Sequence, residues 1–525
     1  MRRQWYLGFG IVILFILASL LIFHASLWWF FGFLILLAFV AIYDLTQKKH
    51  SILRNFPILG HIRFILEFFR PEIQQYFIAD DKSELPFNRE TRNVVYARAK
   101  GLNDTIGFGS EFDISAEGYE YVLHSLNPKH VHEVDDRITV GSSQCTKPYN
   151  ASRLNISAMS YGALSANAIK ALNKGAKISN FAHNTGEGGL TDHHLQGGDI
   201  VMQIGTGYFG TRTEDGHFSE ELFKEKANLD EVKMIEIKLS QGAKPAHGGV
   251  LPAAKLSEEI AKIRGVPMGK DVLSPPAHTA FDSPIGLCHF IQKLRELSGG
   301  KPIGFKLCIG KKSEFIGICK AIVESEIYPD FITVDGAEGG TGAAPMEYAN
   351  NVGTPLKDAL MFVHDCLVGF GIRKEIRIIS SGKIATGFDM IRYISLGADL
   401  CNSARAMMLS LGCLQSRQCN TNTCPVGVAT QNKRLMKALD VDDKKMRVAR
   451  FHDATMHSFL EIVGAMGLES PSELRPYMIY RRVDSNTVKC YSEIHPYLEK
   501  NILLNESNVP SHFKIHWQTS SAQRF

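Results

Sequence analysis

The stretch Phe331-Ile-Thr-Val-Asp-Gly-Ala-Glu-Gly-Gly-Thr-Gly342 sets a short apolar run, Phe331 to Val334, against a loop in which four of eight residues are glycine. A run this short, β-branched and closed by glycines, reads as a buried strand feeding a tight loop. The pattern recurs in both directions along the chain. Similar runs stand at Leu154 to Ala158, Phe181 to His183, Met234 to Ile237, Val272 to Leu273, Ile303 to Leu307, Ile376 to Ile379 and Asp399 to Cys401. Helix-like stretches such as Ala166 to Lys177 and Phe388 to Leu396 lie between them. Eight alternations over about 250 residues predict an α/β fold, a parallel (β/α)8 TIM barrel. Ile200 to Ile204 is a ninth run, assigned to an insertion after the second strand.

In such a barrel the residues just past each strand form the working face. They are Met159-Ser-Tyr-Gly162, Asn184-Thr-Gly-Glu-Gly-Gly189, Ser240-Gln-Gly-Ala-Lys244, Ser274-Pro-Pro276, Lys306, Asp335 to Gly342, Ser381-Gly-Lys383 and Ser403-Ala-Arg405. Glycine, lacking Cβ, lets backbone N–H groups come close to an anion, and Lys383 and Arg405 add charge to the last two loops. A phosphate between the seventh and eighth strands, and hence a phosphorylated cofactor, is the expected occupant. Glycines at strand ends are also ordinary turn residues; the combination carries the reading.

Near the barrel's end stands Cys413-Leu-Gln-Ser-Arg-Gln-Cys419-Asn-Thr-Asn-Thr-Cys424-Pro425. Three thiols so close together suit an iron–sulfur cluster. With no adjacent fourth cysteine they fit a three-iron (3Fe-4S) cluster better than structural zinc, which takes four closed ligands; zinc with Cys401 as a distant fourth ligand is the alternative. The other cysteines (Cys145, Cys288, Cys308, Cys319, Cys366, Cys401, Cys490) are scattered singly and read as small buried hydrophobes. His183, His193, His194, His247 and His278 form no H-E-x-x-H pattern, so no mononuclear metal site is expected.

The chain has 525 residues, a formal net charge of +4, and is 45% hydrophobic and 21% charged, which excludes a disordered chain and a polybasic nucleic-acid binder. Its 10 irregularly spaced cysteines exclude a disulfide scaffold. From Trp5 to Tyr43 there is no Asp, Glu, Lys or Arg. One helix of that length would measure about 58 Å, too long for an apolar slab of about 30 Å. The reading therefore folds it at His24-Ala-Ser26 into a transmembrane helical hairpin with spans Trp5 to Phe23 and Leu27 to Tyr43. Arg2, Arg3, Lys48 and Lys49 flank the spans, placing both ends and the catalytic body on the cytoplasmic side of a multi-pass inner-membrane protein. A cleaved signal peptide, or a single span followed by an interfacial helix, is the alternative. The segment Ile52 to Phe77 mixes arginines with Phe and Ile and reads as a membrane-surface collar or a helix packed on the main domain. The expected divisions are a hairpin over 1–50, a juxtamembrane connector over 51–149, the barrel with its cysteine loop over 150–432 and a short, mostly helical C-terminal tail over 433–525.

These motifs together resemble the FMN-binding synthase domain of the glutamate synthase family, in its short membrane-anchored branch without an amidotransferase domain. The matching text is Ser157-Ala-Met-Ser-Tyr-Gly-Ala-Leu-Ser165, His183-Asn-Thr-Gly-Glu-Gly-Gly189, Ile237-Lys-Leu-Ser-Gln-Gly-Ala-Lys-Pro245, Asp335 to Gly342, and Leu411-Gly-Cys413 through Cys424-Pro-Val-Gly-Val-Ala-Thr-Gln-Asn432. The resemblance implies FMN in the barrel mouth and a 3Fe-4S cluster on Cys413, Cys419 and Cys424 that feeds it electrons. In the family, 2-oxoglutarate and ammonia condense to an imine, and hydride from reduced FMN gives glutamate. It further implies that Ala158, Met159, Ser160 and Gln203 line the isoalloxazine ring, with Lys306 near its N1–C2=O edge. The phosphate falls to Gly340, Gly342, Gly382, Lys383 and Arg405. Gln241, Lys244 and Lys255 meet substrate carboxylates, and Glu187 handles a proton beside the imine.

The chain also departs from the large synthases. Residues 1–150 hold no amidotransferase nucleophile, the glycine run from Gly336 lacks the spacing of a nicotinamide fingerprint, and His247 stands where those enzymes usually carry an acidic residue. The expected function is reductive amination of a 2-oxo acid by ammonia, a small amine or nitrogen from a separate amidotransferase. Electrons would come from a separate donor such as ferredoxin or a reductase subunit. The alternative is a membrane-tethered flavin and iron–sulfur electron-transfer protein that makes no amino acid; a third reading is a cofactor-retaining scaffold for a partner amidotransferase. Retention of Gln241 and Lys244 favours the first, because electron transfer alone does not require them.

Overall fold

The computed structural model describes residues 10–11, 14–15, 18–19, 28–130 and 136–525. It comprises two compact units, Met1–Glu90 and Thr91–Phe525. The larger is built on eight parallel strands closed into a barrel: β1 Leu154–Ile156, β2 His183–Asn184, β3 Ile200–Ile204, β4 Val232–Lys238, β5 Ile303–Leu307, β6 Phe331–Asp335, β7 Arg377–Ser381 and β8 Leu400–Ser403. β8 pairs with β1 to close the ring.

Two strand assignments made from the sequence are corrected. Ile200–Ile204 is the third barrel strand, all five residues buried and paired to β2 on one side and β4 on the other. Val272–Leu273 lies outside the barrel, in a two-stranded antiparallel sheet with Val250–Leu251, and Leu273 is exposed. The reason is local. Residues 185–199, between β2 and β3, contain no helix, so the strand–helix alternation that picks out the other strands skips this one. The long crossover from β4 to β5 supplies a second short apolar pair that imitates a strand.

Alternate residues of a strand face the same side, and three layers follow inside the barrel. Ala182, Val201, Met234, Phe331, Ile379 and Leu400 form an apolar floor with Ile138, Val140, Tyr149 and Ala151. The last four come from an antiparallel hairpin, Arg137–Val140 with Tyr149–Ser152, that stops the N-terminal end. Two residues further along the same strands stand Asn184, Gln203, Glu236, Thr333, Ser381 and Asn402, all buried and all polar. Two further again, Lys238 and Asp335 carry charge to the C-terminal rim. Burial of so many polar groups requires mutual hydrogen bonding, and Glu236 provides it: Asn184 and Gln203 donate to one carboxylate oxygen at 2.8 and 2.7 Å, and Thr333 to the other at 2.6 Å.

Serine or threonine side chains cap helices at Ser165, Ser219, Ser257, Ser283 and Thr386, each accepting from a backbone N–H in the first turn. The 25-residue helix Val441–Ala465 from the C-terminal region packs on Ala166–Ile178 and Gly387–Ser395 and completes the outer layer.

In the smaller unit, helix Trp28–Thr46 is the one helix among the described residues long and apolar enough to cross a membrane. Trp29, Phe33, Leu36 and Phe39 are exposed along it. Asp44, fully buried, accepts from the Ile58 N–H at 2.9 Å and pairs with His61 Nε2 at 2.9 Å, fixing the turn into helix Gly60–Ile73. Of the expected two-span hairpin, the described residues thus show one apolar helix, over the second span. The span Trp5 to Phe23 falls for the most part, and the break His24-Ala-Ser26 wholly, outside the described residues. Ile62, Ile65, Leu66, Phe68 and Phe69 remain exposed on Gly60–Ile73.

Candidate active site

Strand order brings the sequence-selected residues to one rim. Ala158, Met159 and Ser160 follow β1, Glu187 follows β2, Gln241 and Lys244 follow β4, Gly340 and Gly342 follow β6, Gly382 and Lys383 follow β7, and Arg405 follows β8, while Gln203 and Lys306 point inward from β3 and β5.

The centre of the rim is a dense set of charges. Lys238 Nζ lies 2.7 Å from Glu187 Oε1, and Lys306 Nζ lies 4.0 Å from Asp335 Oδ2. Lys238 and Lys306 are register partners on adjacent strands, so two ammonium groups stand side by side. Burial pushes the Glu187 carboxyl up, but the Lys238, Arg264 and Lys306 charges outweigh it and hold it below the usual range. Lys238 is lowered by burial and by Lys306 against the pull of Glu187. Lys244 is 2% exposed and has no carboxylate partner among the described residues; burial, aided by Lys238, lowers it to about 8. Arg264, almost fully buried, donates to Tyr161 O at 3.1 Å, and burial lowers it to about 10. Four buried cations thus face two carboxylates, an arrangement that favours a bound anion.

The walls keep this geometry. Gly249 lies against Glu187 so closely that a Cβ there would sit 2.2 Å from Oε1, and Ser274 Oγ donates to the other oxygen at 3.4 Å. His278 Nε2 contacts Lys238 O at 2.9 Å and its Nδ1 the Tyr208 hydroxyl at 3.1 Å, fixing the end of β4. His247, half-buried, packs edge-on to Tyr348 with ring centroids 5.5 Å apart.

The other end of the rim suits a phosphate. Lys383 is half-buried with φ +52°, has no hydrogen-bonding partner among the described residues, and lies close enough to Arg405 that burial and that like charge both lower it. Arg405 Nη2 donates to Glu338 O at 2.6 Å, and a Cβ on Gly340 would fall 2.8 Å from Arg405 Nε. Two neighbouring cations beside a glycine that must lack a side chain form a cradle for an anion, and the apolar Met159 and the polar Gln203 lie toward the barrel centre. These residues fit FMN.

The cysteine loop follows helix Arg405–Ser410. All three of its thiols are free, burial pushes Cys413 up to about 12, with Cys419 and Cys424 adding to it, and burial and Cys424 raise Cys419. Gln415, Arg417 and Asn422 have positive φ, which curls the chain around the thiols. Gly342 lies against Cys419 O at 3.8 Å from its Cβ position, so the loop borders the β6 rim. Tyr96, from helix Arg89–Lys100, donates to Cys413 O at 2.6 Å, and the buried Arg92 of that helix bears on the Cys413 charge. Among the described residues no three His, Cys, Asp or Glu side chains converge on a point as a mononuclear ion requires. A multi-iron cluster gives each iron its own thiolate, so its ligands stand further apart than those of one ion, and three thiols in one loop are the donor set it takes.

Lys255, expected at a substrate carboxylate, is placed elsewhere. Its Nζ donates to Ala163 O at 2.5 Å, Ala429 O at 3.2 Å and Cys419 O at 3.3 Å, behind the cysteine loop. Sequence reasoning also missed Lys238, Glu236 and Arg264, and placed Asp335 on the working face without giving it a role. For the first two the signal was present: charges at alternate positions of an otherwise apolar run, Met234-Ile-Glu-Ile-Lys238, mark an inward face that cannot be plain core.

A family model described as the conserved region in glutamate synthase matches residues 120–469. The chain is 38% identical over 508 residues to a glutamate synthase large subunit-like protein, YerD, of Bacillus subtilis, covering 89% of this chain and 96% of that one. It is 37% identical over 322 residues to an archaeal NADPH glutamate synthase of Methanocaldococcus jannaschii, covering 61% of this chain and 60% of that protein. Against the NADPH glutamate synthase large chain of Bacillus subtilis it is 34% identical over 294 residues, 54% of this chain but 18% of the relative.

Proposed function

The chain belongs to the glutamate synthase family, oxidoreductases acting on the CH–NH2 group of donors, and we propose that it reductively aminates a 2-oxo acid, 2-oxoglutarate by default, with ammonia or a small amine. The observation that carries this reading is the buried Lys244 ammonium, without a carboxylate partner among the described residues, beside the Lys238–Glu187 pair at the barrel rim. A dicarboxylate entering there exchanges water for Lys244, with Gln241 in the same loop as a neutral donor. Glu187, held ionised by Lys238, is the group within reach of a developing positive charge on nitrogen. The proton needed or released when carbonyl and amine condense passes through its carboxylate, and Lys238, which favours the ionised form, drives the proton onward.

FMN seated on Lys383, Arg405 and the glycines of the last loops, with a 3Fe-4S cluster on Cys413, Cys419 and Cys424, would supply hydride from stored single electrons. Lys306, a buried cation at the barrel mouth, would favour the electron-rich form of such a flavin, and Ala158, Met159, Ser160 and Gln203 would help to hold it. The electron donor is a separate protein, ferredoxin or a reductase subunit; nitrogen comes free or from a separate amidotransferase. Helix Trp28–Thr46, followed at once by Lys48 and Lys49, supports a tether to the inner membrane with the barrel in the cytoplasm.

The test is single-turnover reoxidation. Full-length protein reduced with dithionite should be reoxidised by 2-oxoglutarate plus ammonia or methylamine, yielding the corresponding amino acid by mass spectrometry. Reoxidation by a quinone alone, with no amino acid formed, would replace this function with electron transfer.

A further inference from the structure

Lys255 is a buried cation without a counter-ion. Its side chain is 2% exposed, and no carboxylate among the described residues pairs with it. Its three hydrogen bonds all go to backbone carbonyls, from the loop after β1 (Ala163), the cysteine loop itself (Cys419) and the segment that follows it (Ala429). The neighbouring turn is bolted to the same loop, because Asn422 Nδ2 donates to Ala254 O at 2.7 Å and Asn422 takes donors from Thr430 and Gln431. Carbonyl dipoles orient an ammonium but do not neutralise it, and a full charge held in a dry site is costly unless an opposite charge faces it. The ionisable groups that bear on it are Cys419 and Cys424, which would attract it as thiolates, and Arg264, which repels it.

We infer that Lys255 is the built-in counter-charge of the cysteine-loop cluster and sets its reduction potential. Three thiolates and their irons carry net negative charge, and each electron accepted adds one more. A fixed cation at hydrogen-bond distance from the backbone of one ligand stabilises the reduced form more than the oxidised one and raises the potential. Lys255 is thus a positioning and tuning group, and the assignment rests on the three-iron reading above.

The test is a redox titration of the purified full-length protein, following the cluster by electron paramagnetic resonance, on the native chain, Lys255→Gln, which keeps a donor without the charge, and Lys255→Arg, which keeps the charge. The expected result is a lower midpoint potential in Lys255→Gln, by at least a tenfold change in the reduced-to-oxidised ratio, which is about 59 mV for one electron, with Lys255→Arg near the native value. If Lys255→Gln fails to assemble a cluster while Lys255→Arg retains one, the charge requirement is equally supported. An unchanged potential in Lys255→Gln overturns the inference, as does loss of the cluster in both variants with flavin retained, which would mark a tether alone. Absence of any cluster in the native protein would instead remove the reading beneath it.

Discussion

Lys244 holds its charge in a pocket where burial and Lys238 bring its pKa down to about 8. It is protonated below that value and neutral above it, so affinity for a dicarboxylate should be flat at pH 6 to 7 and weaken by up to about tenfold per pH unit beyond pH 8. Titrating 2-oxoglutarate into the oxidised protein by flavin absorbance measures this. In Lys244→Met the affinity should fall and the pH dependence should vanish; persistence of the slope would assign it to another group. Lys238 behaves differently because it has a partner. Lys238→Met strands the Glu187 carboxylate and should cost about 3–5 kcal/mol, visible as a lower thermal midpoint, with Glu187→Gln added in the same chain recovering part of it. A midpoint unchanged by the single substitution would show that the pair bears no stability. Glu187, Lys244 and Lys306 were legible in the sequence because they sit just past or at the end of apolar runs, where a barrel places its working groups. Lys255 was not, because nothing in Ala253-Ala-Lys255 reveals that its side chain ends on carbonyls of the cysteine loop and its neighbours.

The barrel strands derive their order from layers two residues apart, and Glu236 is where that order is most exposed to test. Its carboxylate receives Asn184, Gln203 and Thr333 from three other strands. Glu236→Leu leaves those donors unsatisfied at about 1–3 kcal/mol each, while Glu236→Gln retains part of the network. Leucine should therefore lower the thermal midpoint far more than glutamine; equal effects would mean the hydrogen bonds are not what the layer depends on. Seven of the eight barrel strands could be read from short apolar runs, because a strand buried on both faces shows no alternation to confuse it. The failure was at β3, where a missing helix between β2 and β3 broke the expected rhythm, and at Val272–Leu273, where two apolar residues pair with Val250–Leu251 instead of entering the ring. Periodicity identifies a strand but not its partner.

At the scale of the whole chain, an apolar helix near the N-terminus and a charged barrel mouth make separate demands. If Trp28–Thr46 spans a bilayer, the protein should remain in the membrane pellet through an alkaline carbonate wash and leave it only with detergent; release by carbonate would contradict the tether. The clustering of Cys413, Cys419 and Cys424 and the glycine-rich strand ends could be seen in the sequence, whereas the charge balance around them emerges only when eight strand ends meet. The account depends most directly on what that mouth and loop carry. Purified without chelators, the full-length protein should be coloured, release one FMN per chain on denaturation and contain close to three irons. A folded, colourless preparation with neither flavin nor iron would contradict it.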